Sequence, residues 1–146
     1  LQGVPGIYIH SLLGSRNNYY GKTTSGIPRR INREKLQLSY IEEQLAKDSN
    51  RRKIFETLID RLKIRKNESA FSPMAYQEVL KLNPGVLSLA RENKKTQEKI
   101  YALINVSGKE QQVTLKEMEG INLLNGQKIS GNIQLNAWEC AWIKKC

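Results

Sequence analysis

The sequence contains few of the residues that disulfide-stapled or metal-dependent proteins rely on. Its 146 residues include two cysteines, one histidine and four prolines. Cys140 and Cys146 lie close together near the C-terminus, and this arrangement is typical of neither a disulfide framework nor a zinc site. We therefore expect no metal, no cofactor and a reducing, cytoplasmic setting.

Long apolar runs are also missing. No stretch approaches the roughly 18–20 consecutive apolar residues that a membrane-spanning helix needs, so we expect no membrane partner. The hydrophobic content of 39% and the charged content of 26% are ordinary for a globular protein.

The one strong compositional bias is positive charge. The sequence has 24 Lys and Arg residues against 14 Asp and Glu residues, a net charge of +10. A basic excess can indicate a nucleic-acid partner. Here acidic residues are interleaved with the basic ones, and no nucleic-acid-binding motif accompanies them. We therefore expect no nucleic-acid partner, and keep a basic, non-enzymatic nucleic-acid-binding module as an alternative function.

The first residues have the pattern of an isolated strand. The apolar run Ile7-Tyr8-Ile9 within residues 3–9 predicts a strand that is buried on both faces. The chain supplies no neighbouring strands for it, so we interpret the sequence as the C-terminal piece of a larger protein. A long loop follows over residues 10–33, and loops of this length are usually functional or disordered.

Two helices are predicted next, at about 40–47 and 51–66. The first opens on Ser39 and Glu42, which have the spacing of a capping box. The second follows Asn50, a residue type that favours the N-cap position. It carries a single apolar stripe formed by Phe55, Leu58, Ile59 and Leu62.

From residue 69 onward, short β-like runs alternate with turn signals, a pattern typical of a small antiparallel sandwich. We predict two domains, residues 1–68 and residues 69–146. In the second domain Trp138, Cys140 and Trp142 alternate onto one face and are expected to anchor the core. The β-like runs are 76–82, 86–91, 100–106, 111–115, 121–124, 133–135 and 138–143.

Several segments, in this order, resemble the alpha-amylase family. Residues 3–9 are similar to the segment that forms the last strand of the family's (β/α)8 barrel, and residues 65–71 to the end of its last barrel helix. Residues 123–126 and 135–143 are similar to the end of its C-terminal β domain. Within the family, the sucrose-phosphorylase-like branch is the most similar, on residues 10–15 and 29–33.

The resemblance implies an α+β architecture. It consists of the last strand and helices of a (β/α)8 barrel, followed by a small antiparallel β-sandwich as the C-terminal domain. It also implies the C-terminal part of a retaining glucosyl transferase, which converts a glucoside and phosphate into glucose 1-phosphate. A fragment of a hydrolase or transglucosidase of the same family is the alternative.

A mechanism that retains the anomeric configuration of the sugar requires two carboxylates about 5–5.5 Å apart. In the family these carboxylates lie on earlier barrel strands. We therefore expect no catalytic residue in this chain and no activity from it alone. The implied partners are a small-molecule sugar, phosphate and the rest of the barrel, and the exposed apolar faces of the fragment predict self-association. His10-Ser11 departs from the common sucrose phosphorylase pattern, which leaves sucrose, sucrose phosphate and glucosylglycerate open as substrates.

The resemblance also assigns candidate substrate-binding residues. Arg29 is placed against the glucose in the donor subsite, where a guanidinium can donate two parallel hydrogen bonds to sugar or phosphate oxygens. Arg30 and Arg33 are second choices, and Asn32 is a candidate brace of the loop. His10 is a candidate because it ends the predicted strand, where the functional side chains of barrels cluster. The alternative is that these arginines cap the helical region that follows or face water, and that His10 is structural.

Overall fold

The computed structural model describes residues 1–116 and 118–146 fully, and residue 117 only by its place in a strand. The chain forms two compact units. One comprises residues 5–62, and the other comprises residues 1–4 together with residues 63–146. The division predicted between residues 68 and 69 stays a prediction.

The unit of residues 5–62 is helical. The predicted strand over residues 3–9 is wrong, since residues 4–8 have no regular structure and Ile9 begins a helical turn. An isolated strand leaves its backbone donors and acceptors unpaired, whereas a helical turn pairs them locally. The helices are α1 (Ile9–Leu12), α2 (Tyr19–Ser25), a 3-10 helix (Pro28–Asn32), α3 (Leu38–Ala46) and α4 (Asn50–Asn67), which continues into the other unit.

Both long helices start slightly before their predicted positions. The N-cap of α3 is Gln37, whose side chain makes no capping bond. The predicted capping box is therefore wrong, because Ser39 and Glu42 already lie inside the helix. At the start of α4, the hydroxyl oxygen of Ser49 accepts a 3.1 Å hydrogen bond from the Arg52 amide. Ser49, rather than Asn50, thus caps the first turn.

The apolar stripe of α4 is present, and its four predicted members are all half-buried. Among the helices that the structure describes, none is long and apolar enough to cross a membrane.

The second unit contains one antiparallel sheet in the order β1-β2-β3-β6-β4-β5. The predicted sandwich is corrected to this single six-stranded sheet, in which Asn83 at the end of β1 donates to the carbonyl oxygen of Gln112 in β4 at 3.0 Å. This contact brings the sheet edge back toward β4, so the sheet curls around its own core. The strands are β1 (Tyr76–Asn83), β2 (Val86–Asn93), β3 (Glu98–Asn105), β4 (Gln111–Asn122), β5 (Lys128–Leu135) and β6 (Cys140–Lys145).

The prediction that Trp138 and Trp142 anchor the core is wrong. In β6 the buried residues are Ala141 and Ile143, which are the alternate positions. Trp142 points to the other face, where its ring packs edge-on against Phe71 at 4.9 Å. Trp138 lies in the turn before the strand at a φ of 62°, and 70% of it is exposed. Small Ala141 and branched Ile143 fit the inside of the curled sheet, and the larger indoles lie outside it.

Candidate functional site

The loop predicted over residues 10–33 folds into three short helical pieces. The side-chain oxygen of Asn18 accepts a 2.7 Å hydrogen bond from the Gly21 amide and caps α2. Gly26 ends α2 at a φ of 66°, a left-handed conformation that glycine adopts without a steric penalty. Pro28 then opens the 3-10 helix, because its fixed φ suits a first helical position. These local signals set the position of the arginine-rich segment.

An open concavity of about 640 Å³ lies against this segment. Three of the five predicted substrate-binding residues line it, and the other two do not. Its walls are Tyr8, Pro28, Arg29, Ile31, Asn32 and Arg33.

The arginines of this segment face solvent. Arg29, Arg30 and Arg33 are all exposed, and within the part of the chain that the structure describes their guanidinium groups have no hydrogen-bond or ion-pair partner. Their N–H groups therefore point to no protein acceptor and can donate to the oxygen atoms of an incoming ligand. Arg29 and Arg33 line the concavity, whereas Arg30 is not among its lining residues.

Two carbonyl groups of the 3-10 helix accept hydrogen bonds from residues outside the helix. The Tyr8 hydroxyl donates a 2.9 Å hydrogen bond to the carbonyl oxygen of Asn32. The Asn18 amide donates a 2.6 Å hydrogen bond to the carbonyl oxygen of Ile31. Asn32 is thus braced through its main chain, and its exposed side chain stays available at the wall of the concavity.

His10 belongs to a network beside the concavity. Its Nδ1 atom lies 3.0 Å from the Ser15 hydroxyl oxygen, and its ring is 5.3 Å from the ring of Tyr8. Arg51 of α4 donates to the carbonyl oxygen of Leu13 at 2.6 Å and to the Ser15 hydroxyl at 3.3 Å. His10 therefore contacts the wall residue Tyr8, and its own polar atom is engaged inside the protein.

Two residues of this arrangement were missed by sequence reasoning. Tyr8 was read as a strand residue, although its place within the family-like segment 3–9 was a usable signal. Arg51 does not belong to the apolar stripe of its helix, yet it is half-buried and donates hydrogen bonds to Leu13 and Ser15. Its contacts are 36 and 38 residues distant in sequence, and no local pattern indicates them.

The concavity offers donors and an aromatic ring, but its lining contains no carboxylate. Among the described side chains, no group of three His, Cys, Asp or Glu residues is placed to hold a metal ion. Several acidic residues are already engaged in ion pairs, such as Glu43 with Lys47 and Glu56 with Arg52. This surface can bind and orient polar groups, and it carries no acid–base pair of its own.

Solved structures share the fold of this chain. No protein-family profile matches the sequence. An alpha-amylase from Anoxybacillus superposes with a TM-score of 0.62 at 17% identity, over 80% of this chain and 25% of the amylase. The trehalulose synthase of Pseudomonas mesoacidophila superposes with a TM-score of 0.55 at 17% identity, over 77% of this chain and 21% of the synthase. The chain therefore shares the fold of a part of each of these two proteins.

Curated relatives narrow the class to one branch. The glucosylglycerate phosphorylase of Allomeiothermus silvanus is 38% identical over 98% of this chain. That of Spirochaeta thermophila is 42% identical over 77% of the chain, and that of Escherichia coli is 33% identical over 97%. The resemblance to the sucrose-phosphorylase-like branch of the alpha-amylase family is thus confirmed. The chain spans about a quarter of the length of these relatives, between 19% and 26%.

Proposed function

We propose that this chain is the C-terminal part of a longer glycoside phosphorylase, which transfers a glucosyl group from a glucoside to phosphate and releases glucose 1-phosphate. The observation that carries the proposal is the 38% identity to a glucosylglycerate phosphorylase over 98% of the chain. Two further relatives carry the same name, and glucosylglycerate is therefore the substrate we favour over sucrose and sucrose phosphate. We also propose that the longer protein is cytoplasmic.

In this proposal the concavity forms one wall of the sugar site. The Arg29 guanidinium is exposed and has no partner among the described residues, and it donates hydrogen bonds to sugar hydroxyls or to phosphate. Tyr8 and Asn18 hold the two carbonyl groups of the segment, which keeps the backbone beside Arg29 in place. Arg33 and Asn32 line the same wall, and His10 acts through its contact with Tyr8.

The chemistry itself needs groups from elsewhere in the longer protein. A retaining mechanism uses one carboxylate as nucleophile and another as acid and base, and the lining of this concavity supplies neither. The 146-residue chain is therefore inert by itself. Its exposed apolar side chains, which include Val4, Ile9 and Tyr20, favour self-association in the isolated form.

The test is an assay of the longer protein encoded with this chain. Glucosylglycerate, sucrose and sucrose phosphate are each supplied with and without inorganic phosphate, and both glucose 1-phosphate and free glucose are measured. The proposal predicts phosphate-dependent release of glucose 1-phosphate, fastest from glucosylglycerate. Free glucose formed at the same rate with and without phosphate would instead establish the hydrolase alternative, and a new glucoside formed without phosphate would establish the transglucosidase alternative.

The isolated 146-residue chain provides two controls. In the same assay it should release no glucose 1-phosphate, because it lacks the carboxylate pair. Its affinity for random oligonucleotides should fall steeply as salt is raised, as expected for charge attraction alone. Tight binding that persists at high salt would favour the nucleic-acid-binding alternative.

A further inference from the structure

Arg91 in β2 is the largest of the fully buried side chains, with 1% of its surface exposed. Arginine is almost never fully buried unless its charge is paired, because a charged group that leaves water must recover its hydrogen bonds and its counter-charge inside the protein. Arg91 therefore requires hydrogen-bond acceptors and a negative charge close to its guanidinium group.

Among the described residues, hydrogen-bond acceptors are present for one of the three guanidinium nitrogen atoms of Arg91. Nη2 donates to the carbonyl oxygen of Ser72 at 2.6 Å and to that of Ala75 at 3.3 Å. Nε and Nη1 are buried and have no acceptor among the described residues. A guanidinium carries five N–H donors, so three of them are left without an acceptor.

The surroundings of Arg91 add positive charge. Burial lowers the pKa of Arg91, and the nearby charge of Arg65 lowers it further. Arg65 is held there by a 3.1 Å hydrogen bond from its Nη2 to the carbonyl oxygen of Gly3 and by stacking over the ring of Phe71.

A carboxylate near Arg91 would have the opposite effect on its pKa. Among the described side chains, Arg65 is the one charged side chain that shifts the pKa of Arg91. The two acidic residues closest in sequence, Glu92 and Glu98, are not among the causes of its pKa shift. Glu98 accepts from the Ala70 amide and pairs with Lys144, and Glu92 lines a surface concavity with Lys94.

We propose that Arg91 and Arg65 form a binding site for one carboxylate group, which accepts the free N–H donors of Arg91 and neutralises the paired cations. A planar guanidinium matches a carboxylate in shape. A singly charged carboxylate also loses less hydration on entering a buried site than a phosphate dianion does. The carboxylate comes either from a small molecule in solution or from an acidic side chain of a polypeptide segment outside these 146 residues.

A small carboxylate can reach the site by a local opening. The segment Leu1–Val4 lies in the same unit and is held by the Gly3 bond to Arg65 and by a 2.6 Å hydrogen bond from the Gln2 amide to Gln77. A segment without regular structure that is held by so few bonds opens at low free energy. The site therefore exchanges with solvent without unfolding of the sheet.

The test follows the Nε–H signals of the arginines of the 146-residue protein by NMR. Sodium acetate is titrated at constant ionic strength, with sodium chloride as the balancing salt, and Arg91→Lys assigns the Arg91 signal. We expect a saturating shift of the Arg91 and Arg65 signals, while exposed Arg16 and Arg30 drift only linearly. Inorganic phosphate is titrated in parallel, and saturation with phosphate but not acetate would overturn the assignment to a carboxylate.

A second arm distinguishes the two sources of the carboxylate. In the longer protein, an acidic side chain at the site would place the Arg91 signal at its bound position before acetate is added, and acetate would then have no further effect. If the Arg91 signal is unmoved by acetate and identical in both proteins, the proposal is overturned and buried water is the acceptor. This outcome is independent of the proposed phosphorylase activity, because the NMR signals require no turnover.

Discussion

The hydroxyl group of Tyr8 donates a 2.9 Å hydrogen bond to the carbonyl oxygen of Asn32. This bond connects residues 24 apart in the sequence, and it anchors the end of the 3-10 helix Pro28–Asn32, which contains Arg29. The Tyr8 ring also contacts His10. One side chain therefore contacts two of the residues that form or flank the candidate sugar site, Asn32 and His10.

Replacing Tyr8 with Phe should loosen the arginine segment. The change removes one hydrogen bond, whose net worth is about 0.5–1.5 kcal/mol, and keeps the ring. We expect trypsin to cleave after Arg29 and Arg30 several times faster, since cleavage follows local opening. Tyr20→Phe is the matched control, because Tyr20 is 80% exposed and its hydroxyl has no partner among the described residues. Equal cleavage rates in the two variants would show that the bond does not hold the segment.

An ion triad links the end of α4 to the sheet and predicts a pH profile. The Lys144 ammonium lies 2.6 Å from Glu68 and 3.2 Å from Glu98. Burial alone would raise the pKa of the Glu98 carboxyl, but the hydrogen bonds from the Ala70 amide and Lys144 hold it below its ordinary value of 4.5. The hydrogen bond to Glu68 raises the pKa of Lys144 above 10.5, against the effect of burial.

The sign of the pH dependence follows from these directions. Glu98 stabilises the fold above about pH 4.5, and its contribution is lost as the pH falls below that value. Lys144 stabilises the fold below about pH 10.5, and its contribution is lost as the pH rises further. Lys144→Met should lower the free energy of unfolding by about 1–2 kcal/mol at pH 7, between the values for exposed and buried pairs. Urea denaturation from pH 3 to 11 measures this, with Lys145→Met as control. An equal loss in both variants would contradict it.

Gly120 marks a close approach of backbones in the sheet. A Cβ atom at this position would overlap the carbonyl oxygen of Lys144 on the neighbouring strand, and backbone in a paired strand cannot move aside cheaply. Gly120→Ala should destabilise the protein by about 2 kcal/mol or more. Gly6→Ala is the control, since nothing lies within 4 Å of its added Cβ. Thermal unfolding of both variants decides the question, and two similar melting temperatures would show that the strands tolerate a side chain here.

Arg29 should matter for catalysis and not for folding. It is exposed and has no described partner, so Arg29→Gln should leave the melting temperature unchanged. In the longer protein the same change should lower kcat/KM by at least about tenfold, the equivalent of one charged hydrogen bond to substrate. Arg16→Gln, an exposed change in the same region, should alter neither. If both variants retain full kcat/KM, Arg29 lies outside the site.

Strong local periodicity explains which elements were predictable. Helix α4 is predicted at 51–66 and runs from Asn50 to Asn67, because its apolar stripe repeats over two turns. The runs 111–115 and 121–124 were read as two strands, whereas they belong to the single strand β4. Its pairing with β5 is irregular between Thr114 and Glu119, and such an irregularity interrupts the alternation that sequence reading depends on.

The remaining errors concern contacts that no local pattern encodes. The strand predicted at residues 3–9 does not form, because a strand requires hydrogen-bonded partner strands from elsewhere in the chain. Trp142 lies outside the main core, where its ring packs against Phe71, and Phe71 is distant in sequence. At the site, the family-like segment pointed to Arg29, Asn32 and Arg33, but the braces from Tyr8 and Arg51 became visible only in three dimensions.

The stereochemistry of the product tests the central claim most directly. The longer protein is incubated with glucosylglycerate and phosphate, and the anomeric configuration of the glucose 1-phosphate is read by proton NMR. The account predicts glucose 1-phosphate with the same anomeric configuration as the substrate, as a double-displacement mechanism requires. Glucose 1-phosphate of inverted configuration, or free glucose alone, would contradict it.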